Sequence, residues 1–137
     1  MEDLQKEFIP YERALRLKAL GYNKPSLGYF DDTGWLEIKV IRSSLFVEKV
    51  DDCCLAPTFP QAFRWFREKY DMAHQVTYAG AKGRYNAFTD DWVYDSSGEL
   101  KEFSYEEAEL ACLDKLIEIV ESKQRINKII KDVQDGR

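Results

Sequence analysis

The stretch "SYEEAELACLDKLIEIVE", residues 104–121, constrains the fold of this chain more than any other. Ser104 and Glu107 stand at the S-x-x-E spacing of a capping box, where each side chain satisfies a backbone N–H left unpaired at a helix start. Neither glycine nor proline interrupts residues 105–121, and Ala108, Ala111, Cys112, Leu113, Leu116, Ile117, Ile119 and Val120 recur at helical spacing. They make the helix apolar over more than half its circumference, so it is expected to lie across a sheet.

The rest of the chain must supply that sheet. In "SLGYFDDTGWLEIKVI" two aromatic and β-branched runs flank Asp31, Asp32, Thr33 and Gly34, residues that favour turns. A first β-hairpin is predicted, with Leu36, Ile38 and Val40 on a buried face and Glu37 and Lys39 on the other. A second is predicted from "HQVTYAG" and "YNAFTDDWVY", joined by "AKGR". Before the first hairpin, "PYERALRLKALGY" has Pro10 where a helix starts and Gly21 where one ends. Between the hairpins, Thr58 and Pro60 open a helix over "QAFRWFREKY", with Phe59, Ala62, Phe63, Phe66 and Tyr70 on one side.

The sum is an α+β chain in the order α-β-β-α-β-β-α, with a single layer of about four antiparallel strands covered by helices. It can be read as an αββ unit used twice and closed by a third helix. At 137 residues, one domain is expected, spanning 1–121, followed by a basic amphipathic helical extension over 122–137.

Charge separates these two parts. The chain carries a formal net charge of −5, and Lys123, Arg125, Lys128, Lys131 and Arg137 outweigh Asp132 and Asp135 in the extension. Only the extension is therefore an electrostatic handle for a polyanion. The start "MEDLQKEF" lacks the basic and apolar regions of a signal peptide, and no apolar run is long enough for a membrane helix. Three cysteines, two of them adjacent, do not make a disulfide framework. A cytoplasmic protein without membrane association is expected.

Chemical motifs are weak. Cys53, Cys54, Cys112 and the sole histidine, His74, have the wrong spacing for a familiar zinc site, since adjacent residues of an extended chain point to opposite sides. Nothing in the sequence places His74 beside a cysteine as a base for a nucleophile. The pairs Asp31-Asp32, Asp51-Asp52 and Asp90-Asp91 sit in or near predicted turns, where aspartate has local hydrogen-bonding reasons to occur. "YAGAKGRY" lacks the spacing of a phosphate loop and joins two strands. No catalytic residue, metal ligand or cofactor is expected, and an enzyme is disfavoured.

Binding residues are easier to name. Ile126, Ile129, Ile130 and Val133 follow the i, i+3, i+4, i+7 template, and Ile119, Ile126 and Val133 are seven apart. This stripe needs a cover, supplied either by the helix bending back at residues 122–124, by a partner protein, or by a second copy of the chain. Trp35 and Trp65 are candidate exposed contacts. Lys123, Arg125, Lys128 and Lys131, with Lys82 and Arg84 at the second hairpin tip, are candidate nucleic-acid contacts.

The segments "LGYFDDTGWL", "APTFPQAFRWFREKY" and "SYEEAELACLDKLIEIV" resemble a family of short uncharacterised proteins encoded by phages and prophages of Bacteroides-type gut bacteria. The last two carry most of the resemblance. It implies a phage-type accessory protein of the bacterial cytoplasm and carries over no catalytic residue. The leading expectation is thus a non-enzymatic module that binds a host or phage protein, or itself through the C-terminal helix. The alternative is a nucleic-acid-associated protein that uses the basic helix.

Overall fold

The computed structural model describes residues 2–42 and 53–136; the Asp51-Asp52 pair lies outside them. In chain order the elements are α1 (Glu2–Gln5), α2 (Tyr11–Ala19), β1 (Ser26–Phe30), β2 (Leu36–Ile41), β3 (Cys54–Leu55), α3 (Phe59–Tyr70), β4 (Gln75–Tyr78), β5 (Tyr85–Phe88) and α4 (Tyr105–Asp135). The class is α+β.

Local chemistry sets most of the boundaries. Pro10 precedes α2 in an extended conformation, and Gly21 follows that helix at φ +97°, a left-handed conformation costly for residues with a Cβ. Thr58 and Gln61 form a capping box at the start of α3, as Ser104 and Glu107 do at the start of α4. Asp71, at φ 54°, ends α3. In the β1–β2 turn, Asp31 Oδ1 accepts from Thr33 N at 2.8 Å, Trp35 N at 3.0 Å and Thr33 Oγ1 at 2.6 Å. These bonds hold the Asp31 carboxyl below its usual range. Its role is structural.

The strands divide into two sheets instead of one layer. Antiparallel β1 and β2 pair as a hairpin, and the opposite edge of β1 is taken by β3, with Tyr29 against Leu55 and Phe30 against Cys54. The β4–β5 hairpin forms its own antiparallel sheet, in which Val76 faces Ala87. The first half of α4 covers this second sheet. One core nevertheless joins the elements, including Leu17 of α2, Phe63 and Phe66 of α3, and Leu113, Leu116 and Ile117 of α4.

Strand β2 departs from the expected half-buried pattern. Ile38 is 37% and Val40 61% exposed, and only Ile41 is fully buried. The strand lies at the sheet edge, and Ile38 pairs with Gly28, which offers no side chain to pack against. The two cysteines of "VDDCCLAPTFPQAFRWFREKY" belong to the short buried strand and its approach, just ahead of the helix start.

Candidate functional site

Two arginines of α2 hold α4 against the body. Arg13 reaches Asp114 through Nε at 2.8 Å and Nη2 at 3.1 Å, and Arg16 grips Glu121 in the same two-pronged manner, with Nε at 3.2 Å. Two parallel N–H···O bonds fix direction as well as distance. The Arg16 guanidinium holds the Glu121 carboxyl below its usual range, chiefly through that hydrogen bond.

Beyond this clamp the helix continues without a break. At 31 residues α4 is about 46 Å long, and residues 123–136 are all exposed. The helix does not bend back at residues 122–124. Ile126, Ile129, Ile130 and Val133 are 56%, 62%, 50% and 60% exposed and form one stripe. At 3.6 residues per turn, this stripe lies about 140° around the helix from the face that Leu113, Leu116, Ile117 and Val120 bury. It faces a direction of its own.

The basic residues do not gather into one patch. Lys123, Arg125, Lys128 and Lys131 are exposed but distributed around the helix, with Asp135 between Lys128 and Lys131 in angular order. At the β4–β5 tip, Lys82 and Arg84 are also exposed. Arg84 acts electrostatically on Glu107, at the opposite end of α4 from the tail. About 24 Å of helix separates Glu107 from Lys123. The tip and the tail are therefore separate positive features.

The two tryptophans part company. Trp35 is 62% exposed and lines a groove of about 930 Å³ with Phe8, Tyr11, Phe30, Leu36, Phe59 and Leu110. Lys6 and Glu106 supply charge to the lining. Trp65, expected at the surface, is instead 3% exposed. Rings of Tyr22, Phe66 and Tyr70 stand 5.5, 5.1 and 5.4 Å from its ring, and Lys69 Nζ lies 5.1 Å from its centroid. Tyr22 covers a second side of α3 that the helical pattern alone leaves open.

The thiols sit in surroundings that disfavour thiolate. Burial pushes the Cys54 thiol up to about 11 against a smaller opposing pull from Lys18. Cys54 Sγ lies 3.5 Å from Leu55 O, and Cys112 Sγ lies 3.6 and 3.7 Å from Gln75 O and Phe88 O. Burial raises the Cys112 thiol too. Cys53 is buried, and its carbonyl accepts from Lys18 Nζ at 2.8 Å. His74 stacks on Phe63, with ring centroids 3.5 Å apart and planes 8° from parallel. Burial lowers its affinity for a proton, and Arg67 lowers it further. Among the described residues no group of three or more histidine, cysteine, aspartate or glutamate side chains is placed to hold a metal ion.

The acidic pairs within the described residues serve turns. Asp91 Oδ1 accepts from Trp92 N at 2.8 Å, and Asp90 accepts from Thr89 Oγ1 at 3.0 Å. Sequence reasoning passed over Arg13 and Arg16, which set where the exposed helix leaves the body. The signal available was their three-residue spacing on α2, which puts both on one side of it.

No protein-family model, curated protein or solved structure matches this chain. Among the described residues, no helix is long and apolar enough to cross a membrane.

Proposed function

We propose that this chain is a non-enzymatic protein-interaction module whose binding element is the exposed C-terminal part of α4. The observation that carries this reading is the stripe of Ile126, Ile129, Ile130 and Val133, each at least half exposed on a helix that has left the body. Isoleucine and valine are stiff at χ1 and are not favoured in helices for their own sake. Placing them on an exposed helix face gives up transfer free energy on the order of 1–2 kcal/mol per side chain, recovered when a partner covers them. The helix needs no partner to nucleate, because its packed first half already supplies the costly first turns.

The Trp35 groove is a second surface of the same module, suited to an apolar side chain. The resemblance of "APTFPQAFRWFREKY" and "SYEEAELACLDKLIEIV" to phage and prophage proteins supports an accessory role in which the partner is a host or phage protein. Binding of nucleic acid through Lys123, Arg125, Lys128 and Lys131 is the weaker reading, because Asp132 and Asp135 interrupt the positive charge.

Affinity capture from a bacterial lysate, with and without nuclease, tests the proposal by comparing the full chain with one ending at Glu121. Val120 is the last residue of the buried core among the described residues, so the shortened chain should keep its circular dichroism and cooperative unfolding. The expected result is a discrete, nuclease-resistant protein, or an untagged copy of the same chain, retained by the full chain alone. Identical retained proteins for both chains would overturn it. Retention that disappears with nuclease and falls steeply with salt would establish the nucleic-acid reading instead.

A further inference from the structure

We propose that the surface covering the tail stripe is the same stripe of a second copy, laid antiparallel, so that the chain is a weak two-fold dimer. The inference rests on the reading of the tail as the binding element and names its partner. Three properties of α4 lead to it.

The first is periodicity. Ile119, Ser122, Ile126, Ile129 and Val133 alternate in steps of three and four, the seam spacing of two helices that pack side by side. Ile119 and Ser122 are partly covered at the edge of the body, and Ile126, Ile129 and Val133 stand clear of it. An antiparallel pair centred near residue 128 sets Ile126 opposite the partner's Ile129 and Ser122 opposite the partner's Val133. The two-fold operation repeats each contact in reverse, which satisfies the self-complementarity a closed dimer requires. Ile130 flanks the seam and widens its apolar floor.

The second is charge. Arg125 and Asp132 are seven residues apart and lie along the same border of the stripe. Antiparallel pairing brings Arg125 alongside the partner's Asp132, and Asp132 alongside the partner's Arg125. Two equivalent ion pairs result from one pair of residues. In a parallel arrangement Arg125 falls beside the partner's Ile130, and the charge match is lost. In the single chain, Arg125 Nη2 donates to Ser122 Oγ at 3.2 Å, so the guanidinium already lies along the helix surface.

The third is the field of the bodies. The formal net charge of −5 with a positive tail leaves each body strongly negative. Parallel tails hold two such bodies side by side, whereas antiparallel tails hold them at opposite ends of the paired segment. The bend-back alternative is closed by the helix itself, which runs unbroken through residues 122–124 and turns its stripe away from the core face.

A seam of about two heptads buries less than the ~1,200 Å² typical of a stable complex. The dimer should therefore be a concentration-dependent equilibrium with a dissociation constant on the order of 100 µM. Sedimentation equilibrium of the full chain from about 10 µM to 1 mM is the deciding experiment. The weight-average mass should rise from 16.1 kDa towards twice that value. Ile126→Gln with Ile129→Gln should weaken association at least about tenfold with circular dichroism unchanged.

The charge pair supplies the orientation test. Arg125→Asp alone, or Asp132→Arg alone, should weaken association about fivefold, and the two together should restore it to within about twofold of the original. A chain that stays at 16.1 kDa throughout would overturn the proposal. Association that the double swap fails to restore would overturn the antiparallel pairing. If the chain is monomeric yet the lysate experiment still retains a tail-dependent protein, the dimer falls and the interaction module stands. If the tail proves dispensable there as well, both fall.

Discussion

The two halves of α4 form one helix with two different relationships to the rest of the molecule. Over its first half, Cys112, Leu113, Leu116, Ile117 and Val120 are at most 2% exposed beneath the β4–β5 sheet and its neighbours. Over its second, Ile126, Ile129, Ile130 and Val133 are at least 50% exposed. Helical spacing of apolar residues announces that a face will be covered; it does not say by what. The first half finds its cover within the chain, and the clamp from α2 marks where that cover runs out.

Substitution at matched positions breaks the comparison most sharply. Ile117→Ala, at a fully buried site, should cost about 2–5 kcal/mol by chemical denaturation at low protein concentration, because it removes packing and leaves a cavity. Ile129→Ala should change the monomer by less than about 0.5 kcal/mol, since alanine is also the better helix former. Equal costs at the two positions would show that the tail is covered within its own chain.

A smaller effect is expected at the shared helix start. Ser104 Oγ accepts from Glu107 N at 3.3 Å, and Glu107 Oε1 accepts from Ser104 N at 3.0 Å. Ser104→Ala should cost about 1 kcal/mol in thermal or urea unfolding, with both halves of α4 losing helicity together.

The smallest effect concerns the clamp. Arg16→Ala should cost on the order of 0.5–1 kcal/mol at neutral pH, because the pair is two-pronged but about a third exposed. Glu121 has a lowered value in the folded chain, so its contribution is fully present above the ordinary glutamate pKa of about 4.3 and lost as pH falls through the lowered one. The difference between Arg16→Ala and the original chain should therefore shrink in acid, as read by urea unfolding between pH 7 and pH 3. A difference independent of pH would assign the Arg16 effect to packing of its stem.

What the sequence discloses is what is encoded within a few residues. The Ser104–Glu107 capping box, the Thr58 cap and the Asp31 turn depend on side chains that bond to backbone two to four positions away, and the start of α2 depends on the backbone geometry of Pro10. The α+β class follows from the same local signals. The two-sheet arrangement does not, because Cys54 and Leu55 make a strand too short for periodicity, and it is this strand that pairs with the second edge of β1. Trp65 departs from its expected exposure for a related reason: its cover comes from Tyr22, more than forty residues away in the chain. The exposed tail stripe is legible as a pattern, whereas the roles of Arg13 and Arg16 emerge only when α2 and α4 are brought side by side.

The unbroken course of α4 has a mechanical consequence. No glycine or proline lies between residues 105 and 135, and two bidentate ion pairs pin the first half to a second helix. The tail is therefore a stiff strut with no built-in hinge. Whatever it engages is held at a fixed bearing and stand-off from the body, and a load on the tail is passed through Glu121 and Asp114 into α2. The length of the exposed segment, as well as its surface chemistry, then becomes part of what the molecule specifies.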